Sequence, residues 1–297
     1  MLRSVVFFVL VVGLAIAGPP VVRTKKDIED FAKYLERVQK GTNNVQVAAR
    51  SLSAPVEITE EDSGRYQGDI VLDDTDIEVM VQEYAWGRSA YTTSSTTTWP
   101  DNTVIFEFGD GEFDELQQAA IWEGIKDIEA HSCVKFRLRK PTDNIYVHIT
   151  GAPDGCYAHI GYRVSRGAHI MNLARNKVGS GCFRHVTIVH EFMHLLGFTH
   201  MHATYDRDNY VNIVEENIRS GSEHNFDIYS PTRINNYGID YDYESCMHYS
   251  PTSFTSNGLP TIIPTHNEPG SMGQRQFVTD SDWLRINRHY SCPGAWN

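Results

Sequence analysis

Apolar residues recur every three to four positions in several segments, the spacing that places side chains on one face of an α-helix. Helices are predicted over residues 27–40, 114–130, 185–198 and 280–290. The second helix should carry one apolar stripe formed by Phe113, Leu116, Ala120, Ile121, Ile125 and Ile128. Such a stripe needs a partner surface, so these helices are expected to pack against other elements.

Alternating apolar and polar residues predict strands between these helices. The strands cover residues 103–108, 134–138, 145–149 and 168–173. After His200 the chain is rich in Asn, Asp, Tyr and Gly and has few strong periodicities. A mixed sheet with helices in front, followed by an irregular C-terminal half, indicates an α+β fold.

The N-terminal third has a different character. Residues 43–83 are acidic and poor in aromatic side chains, so they are expected to be extended rather than packed. The composition changes again at Arg88 and Ser89, which precede a polar Thr/Ser run that ends at Thr98. A basic residue before such a run is typical of a processing site, and an ordinary surface arginine in a loop would give the same pattern.

Size and charge narrow the possible functions. The chain has 297 residues, of which 41% are hydrophobic, enough for one large domain with an appendage. Its formal net charge of −12 argues against nucleic acid and against an anionic membrane surface as partners. The charge does not identify a substrate.

Residues 1–17 have the features of a secretory signal. Arg3 precedes an apolar run that starts at Val5, and residues 15–17 form a small-x-small cleavage site. The run is shorter than the roughly 20 residues that span a bilayer, so no membrane anchor is expected. Secretion exposes the chain to an oxidising compartment, where its five cysteines are disulfide candidates with one left over.

The strongest chemical signal lies in residues 190–200. His190 and His194 are one helical turn apart on the same face, the separation that two nitrogen ligands of a zinc ion require. Glu191 is not needed for coordination and is free to act as a base on a bound water. These residues predict a metal site.

A third histidine, His200, completes the set only if the helix stops. In a continuous helix it would lie about 15 Å further along the axis and roughly 80° off the face. Gly197 tolerates the left-handed conformation that ends a helix and turns the chain back. The segment therefore predicts a helix, a stop and a return.

Three further segments carry a family resemblance. They are residues 243–249, which contain Met247 and Tyr249, residues 206–211 and residues 272–275. With the three histidines, they make the region from about Trp99 to Cys292 resemble the astacin-family zinc metalloendopeptidases, which are metzincins. The resemblance implies a zincin-like catalytic domain with a mixed five-stranded sheet, an active-site helix and an irregular C-terminal subdomain.

The resemblance also implies residue roles. One Zn²⁺ per chain would be bound by His190, His194 and His200, with Tyr249 as a resting ligand that swings away to stabilise the transition state. Met247 would form the apolar floor of the site. The implied disulfides are Cys133–Cys292 and Cys156–Cys182. Cys246 is left over and is expected to be a buried free thiol, with a metal ligand or a redox switch as the alternatives.

The same resemblance implies a zymogen. The stretch Tyr66-Gln67-Gly68-Asp69 is similar to a propeptide motif whose aspartate occupies the zinc, here Asp69. Residues 1–17 would then be the signal peptide, 18–88 the propeptide and 89–297 the catalytic domain. The activating cleavage would separate Arg88 from Ser89.

One departure concerns Met201. Astacins have a glutamate directly after the third histidine that holds the new N-terminus, and a methionine cannot accept an ammonium group. This leaves open a secreted astacin-fold binding or toxin-like protein with weak or no catalysis. A matrixin is a second alternative, but those proforms use a cysteine, and none precedes Cys133.

The sequence therefore predicts a secreted, extracellular and monomeric endopeptidase that cleaves internal peptide bonds. Its expected partners are protein or peptide substrates and an activating protease, with no nucleic acid and no membrane anchor. A freely diffusing enzyme without accessory domains is expected.

Overall fold

The computed structural model of the chain describes residues 23–41, 63–85, 98–229, 231, 234–266 and 270–296. The predicted signal segment 1–17 and the Arg88–Ser89 bond lie outside the described residues. None of the helices in the described ranges is both long enough and apolar enough to cross a bilayer.

A six-stranded mixed sheet forms the centre of the fold. Its strands, in chain order, are β1 (Ile70–Val71), β2 (Thr103–Phe108), β3 (Lys135–Leu138), β4 (Tyr146–Thr150), β5 (Cys156–His159) and β6 (Ala168–Leu173). The spatial order is β1-β5-β6-β4-β2-β3. Among these described strands, β5 and β6 pair antiparallel and the other neighbours pair in parallel. The four strands predicted from alternation are confirmed, and the α+β class with them.

The strand count differs from the expected five because the N-terminal third contributes β1. This strand pairs in parallel with β5, with Ile70 opposite Ala158 and Val71 opposite His159. β5 itself was not predicted, because all four of its residues are buried and no polar alternation marks it.

Five helices accompany the sheets in the described residues. They are α1 (Lys25–Lys40), α2 (Asp74–Ala85), α3 (Glu115–His131), α4 (His185–Leu195) and α5 (Asp280–His289). Four of them confirm the predicted helices within a few residues at each end.

Helix α3 begins at a capping box in which Asp114 and Gln117 satisfy each other's backbone N–H groups. Its Ile121, Ile125 and Ile128 are fully or almost fully buried in the main core. Leu116 was predicted on the same stripe, but it is 74% exposed. It precedes Ile121 by five residues and therefore points about 140° away from that face.

The described residues of the N-terminal third pack in a second apolar cluster, which they share with later parts of the chain. Phe31 and Leu35 of α1 and Met80 of α2 are buried together, and this cluster includes Ala203 and Tyr229 from beyond α4. The expectation that residues 43–83 are extended is therefore wrong for 63–83. The acidic residues of this stretch led to the wrong expectation. Its apolar side chains are spaced so that they can pack against the rest of the fold.

The C-terminal part contains short 3₁₀ turns and a two-stranded ribbon, β7 (Val211–Ile213) with β8 (Ile262–Pro264). Two disulfides tie the domain together. Cys133, just after α3, bonds to Cys292, just after α5, and Cys156 of β5 bonds to Cys182 before α4. Cys246 is a buried free thiol.

Candidate active site

Helix α4 carries the histidine motif through the interior of the domain. Ten of its residues, from Val186 to Leu195, are buried. Gly197 has a φ of 107°, and its N–H donates to the carbonyl of His194 at 2.8 Å, which closes the helix. The chain then turns back and brings His200 beside the other two rings. The predicted helix, stop and return are all present.

The three imidazoles converge on the carboxylate of Asp69. Its Oδ2 lies 3.1 Å from Nε2 of His190 and 3.1 Å from Nε2 of His200, and its Oδ1 lies 3.4 Å from Nε2 of His194. All four side chains are almost fully buried. Candidate ligand atoms from these four residues all lie within 4.8 Å of one another.

The second nitrogen of each ring, Nδ1, faces an oxygen acceptor. The pairs are His190 with the carbonyl of Cys246 at 2.7 Å, His194 with that of Phe198 at 2.8 Å, and His200 with the side-chain oxygen of Gln67 at 3.2 Å. An amide oxygen can only accept, so Nδ1 carries the proton and the Nε2 lone pair points into the cluster. Hydrogen bonds of this kind orient histidines that bind metal ions.

The electrostatics of the cluster fit a cation. Burial lowers the pKa of His200 to about 4 and also lowers the pKa of His190, so both rings are neutral near pH 7. Nitrogen lone pairs that face a carboxylate would repel it unless a positive charge lies between them. In a tetrahedral zinc site with bonds of about 2.0–2.1 Å, ligand atoms are about 3.3–3.4 Å apart. The distances from the Asp69 oxygens, 3.1 Å to His190 and His200 and 3.4 Å to His194, lie close to this spacing.

Tyr249 lies beside the cluster, but its hydroxyl is engaged elsewhere. It donates to the backbone carbonyl of Gln67 at 2.6 Å. Its ring stacks on His202, with centroids 3.7 Å apart, and lies 4.8 Å from the ring of His200. In this structure the Asp69 carboxylate supplies the oxygens that face the three Nε2 atoms, and Tyr249 is bonded to the segment that carries Asp69.

The turn around Met247 is fixed by the last helix. Asp282, which is fully buried, accepts from the Ser245 hydroxyl at 2.6 Å and from the Cys246 N–H at 2.9 Å. Met247 is buried in the main core, and its carbonyl accepts from the Met201 N–H at 2.9 Å. The turn therefore positions the Cys246 carbonyl against His190.

Sequence analysis missed two of the residues that shape this site. Gln67 fell within the predicted propeptide motif, but no pattern gave its side chain a role. Asp282 is the third residue of α5 and forms a capping box with Thr279. That signal marks the start of a helix but does not predict a contact with the active site.

Glu191 lies next to His190 on α4 and is fully buried. A buried carboxylate beside three convergent imidazoles is suited to take a proton from a nucleophilic water. Met201 is buried in an apolar cluster with Val211 and Ile218, an environment that suits a methionine and not an ammonium group. His202 contacts Tyr249 and bonds to the carbonyl of Asn225 at 2.9 Å.

A short buried helix carries two of the three convergent histidines and a glutamate, and the third histidine, from the returning chain, completes the centre. This arrangement defines a zinc-dependent peptidase. The model of the peptidase family described as Astacin matches residues 91–291, and the chain belongs to that family. It is therefore a zinc metalloendopeptidase with Zn²⁺ as its cofactor.

Known proteins of the family resemble the chain over most of its length. Seminal metalloprotease 1 of Drosophila melanogaster is 37% identical over 198 residues, which cover 66% of this chain and 78% of that protein. Zinc metalloproteinase nas-4 of Caenorhabditis elegans is 32% identical, with 78% and 71% covered. The structure resembles high choriolytic enzyme 1, a hatching enzyme zinc-protease from the medaka fish Oryzias latipes. That likeness has a TM-score of 0.59 at 29% identity and covers 66% of this chain and 93% of that one.

Proposed function

We propose that the chain is made as a secreted zymogen whose Asp69 blocks the zinc site until the N-terminal segment is removed. In this proposal residues 1–17 are the signal peptide, 18–88 the propeptide and 89–297 the catalytic domain. The observation that carries the proposal is the position of Asp69, whose carboxylate lies within 3.4 Å of all three imidazole Nε2 atoms. A carboxylate there excludes the water that hydrolysis requires.

The backbone around Asp69 supports the same role. Gln67 and Gly68 have positive φ values of 47° and 86°, which turn the chain sharply so that the next side chain enters the cluster. Glycine adopts such angles without steric cost. Strand β1 then pairs with β5, so the segment also occupies the sheet edge that an extended peptide would use.

In the processed enzyme, His190, His194 and His200 would hold the zinc, which would supply Lewis acidity to the scissile carbonyl and to a bound water. Glu191 accepts the proton of the attacking water and passes it to the leaving amine. The departure of Gln67 removes the carbonyl to which the Tyr249 hydroxyl donates, and this hydroxyl then donates to the developing oxyanion.

Secretion is supported by the apolar run at the N-terminus and by the two disulfides, which persist in oxidising compartments. Activation requires another protease, and the bond after Arg88 suits one that cleaves after basic residues. We propose protein or peptide substrates for the processed enzyme and a monomeric state.

The test compares the full chain before and after treatment with trypsin. We expect the untreated chain to hydrolyse denatured casein only at background rate. Cleavage between Arg88 and Ser89, verified by N-terminal sequencing, should release activity that a zinc chelator abolishes and added zinc restores.

Asp69→Ala should be active without cleavage. Glu78→Gln, which replaces an exposed acid of the same segment, should stay latent. An Asp69→Ala chain that remains silent while the trypsin-treated wild type is active would rule out the aspartate switch. A treated wild type with no activity would favour the weak or inactive astacin-fold protein.

A further inference from the structure

A second charged cluster lies just beyond β1, the strand that follows Asp69. Asp73 and Asp76, at the start of α2, face Arg163 and Arg166 of the loop between β5 and β6. Arg163 Nη1 bonds to both carboxylate oxygens of Asp73 at 3.0 and 3.1 Å, and its Nη2 bonds to Asp76. Arg166 bonds to Asp73 at 2.9 Å and to Asp76 at 3.0 Å.

This cluster is largely shielded from water. The side chain of Asp76 is 0% exposed, that of Arg166 4% and that of Arg163 17%. Paired carboxylates and guanidinium groups in such surroundings bind through charge-assisted hydrogen bonds, and the planar guanidinium is matched in shape to a carboxylate. The two halves of the cluster come from different parts of the chain, because both acids belong to the predicted propeptide.

The arginines are held by their own loop as well as by the acids. The backbone N–H of Arg163 donates to Nε2 of the buried His169 at 3.0 Å. Arg166 donates through Nη1 to the carbonyl of Ile160 at 3.3 Å. Neither contact involves the N-terminal segment, so both would remain after that segment leaves.

The cluster lies on the path of an extended chain through the site. Asp73 follows Asp69 by four residues, which span about 13 Å in extended conformation. Between them β1 runs along the edge of β5. A substrate whose scissile bond replaces Asp69 and whose backbone follows the same edge would bring a side chain to Arg163 and Arg166 after a similar distance.

We propose that Arg163 and Arg166 form a binding site for acidic substrate residues in the processed enzyme. The site selects substrates that carry an Asp or Glu about four residues from the scissile bond, on the side of the substrate that runs along the edge of β5. The proposal rests on removal of the N-terminal segment, as inferred above. In the latent chain, Asp73 and Asp76 occupy this site in place of the substrate's carboxylates. Their departure leaves two neighbouring cations, whose mutual repulsion favours the uptake of an anion.

The experiment uses trypsin-processed enzyme and quenched fluorescent peptides of one common sequence. A single Asp is moved through the third, fourth and fifth positions on either side of the scissile bond, and each peptide has a matched Asn version. We expect one side to show an Asp preference of about 10-fold in kcat/KM. The preference should arise in KM and weaken in 0.5 M salt, because it is a charge interaction.

Arg166→Gln, alone and with Arg163→Gln, should remove the Asp preference, because kcat/KM of each Asp peptide should fall to that of its matched Asn peptide. Arg137→Gln is the control, because Arg137 pairs with Asp143 at 2.7 Å and belongs to β3, at the opposite edge of the sheet from β1. An Asp preference that survives both arginine substitutions would overturn the proposal, as would equal turnover of Asp and Asn peptides at every position.

A binding measurement separates this proposal from the proposed function. The processed Glu191→Gln chain is titrated with the same peptides, and fluorescence anisotropy reports binding without turnover. Asp-dependent binding that disappears in the Arg166→Gln background supports the acidic site even if wild-type hydrolysis is absent. Equal binding of Asp and Asn peptides contradicts the acidic site even if hydrolysis is fast.

Discussion

The hydroxyl of Tyr249 donates a 2.6 Å hydrogen bond to the backbone carbonyl of Gln67, 182 residues earlier in the chain. The same Gln67 accepts through its side-chain oxygen from the Tyr229 hydroxyl at 3.0 Å and faces Nδ1 of His200 at 3.2 Å. Its N–H donates to the side chain of Asn225 at 3.0 Å. One residue of the N-terminal segment therefore holds two groups of the active site, and Asp69 is not the only element of the proposed latch.

Substitution of Gln67 should weaken latency while Asp69 is intact. Gln67→Ala removes the side-chain oxygen that faces His200 Nδ1 and accepts from the Tyr229 hydroxyl, and the loss of a hydrogen bond to a buried polar group costs about 1–3 kcal/mol. We expect the uncleaved variant to show about 10-fold or more activity above the wild-type background. The assay is casein hydrolysis by the full chain, with intact length checked on a gel.

The matched control is Gln39→Ala, which removes a partly exposed glutamine side chain that bonds only to Asp74 of the same segment among the contacts described. It should stay as latent as the wild type. If Gln67→Ala were equally latent, the side chain of Gln67 would have no part in holding the segment.

Loss of the Tyr249 hydroxyl should affect the chemical step. In the processed enzyme we expect Tyr249→Phe to lower kcat about 100-fold with little change in KM, because a donor to the oxyanion acts only in the transition state. Tyr205→Phe, which alters a tyrosine that is 39% exposed, should leave both constants unchanged. A Tyr249→Phe enzyme with wild-type kcat would show that the hydroxyl does not stabilise the oxyanion.

Glu191→Gln should separate metal binding from catalysis. The amide has nearly the shape of the carboxylate but cannot accept a proton from water, so nearly all activity should be lost. Zinc content, measured by atomic absorption, should match that of the wild type, because the three imidazoles are unchanged. The control is Glu123→Gln on the exposed face of α3. Substantial turnover by Glu191→Gln would remove Glu191 from the role of base.

The sequence predicted the zinc helix and the turn after it because both depend on local geometry. The spacing of His190 and His194 and the conformational freedom of Gly197 act within a few residues, and the structure has the helix within three residues of its predicted end. The cluster of acids with Arg163 and Arg166 depends on contacts about 90 residues apart along the chain. The contact of His190 with Cys246 uses a backbone carbonyl, which no side-chain pattern can reveal.

The N-terminal third illustrates the same limit. Its charge predicted an extended segment, since acids spaced along a chain repel one another. In the structure Asp73 and Asp76 instead pair with arginines, and Met80 and Leu72 are buried against Tyr229 and its neighbours. Residues far along the chain thus supply the positive charges that pair with these acids and the apolar surface that covers these side chains.

Buried histidines away from the zinc site should make the fold sensitive to acid. Burial lowers the pKa of His169 to about 3 and that of His289 to about 4, both below the ordinary 6.5. Between pH 6.5 and 4 the unfolded chain therefore binds more protons at these positions than the folded chain does. The free energy of unfolding should be highest above pH 6.5 and fall as the pH falls, by about 1.4 kcal/mol per pH unit for each histidine at most.

Urea unfolding of the full chain at pH 7, 6 and 5 measures this dependence. His289→Gln should reduce the slope by up to about 1.4 kcal/mol per pH unit, because the glutamine does not titrate. His266→Gln, at an exposed position, should leave the slope as in the wild type. The same slope in His289→Gln and in the wild type would mean that this ring is not held neutral in the folded chain, and the acid sensitivity would then have to arise at other groups.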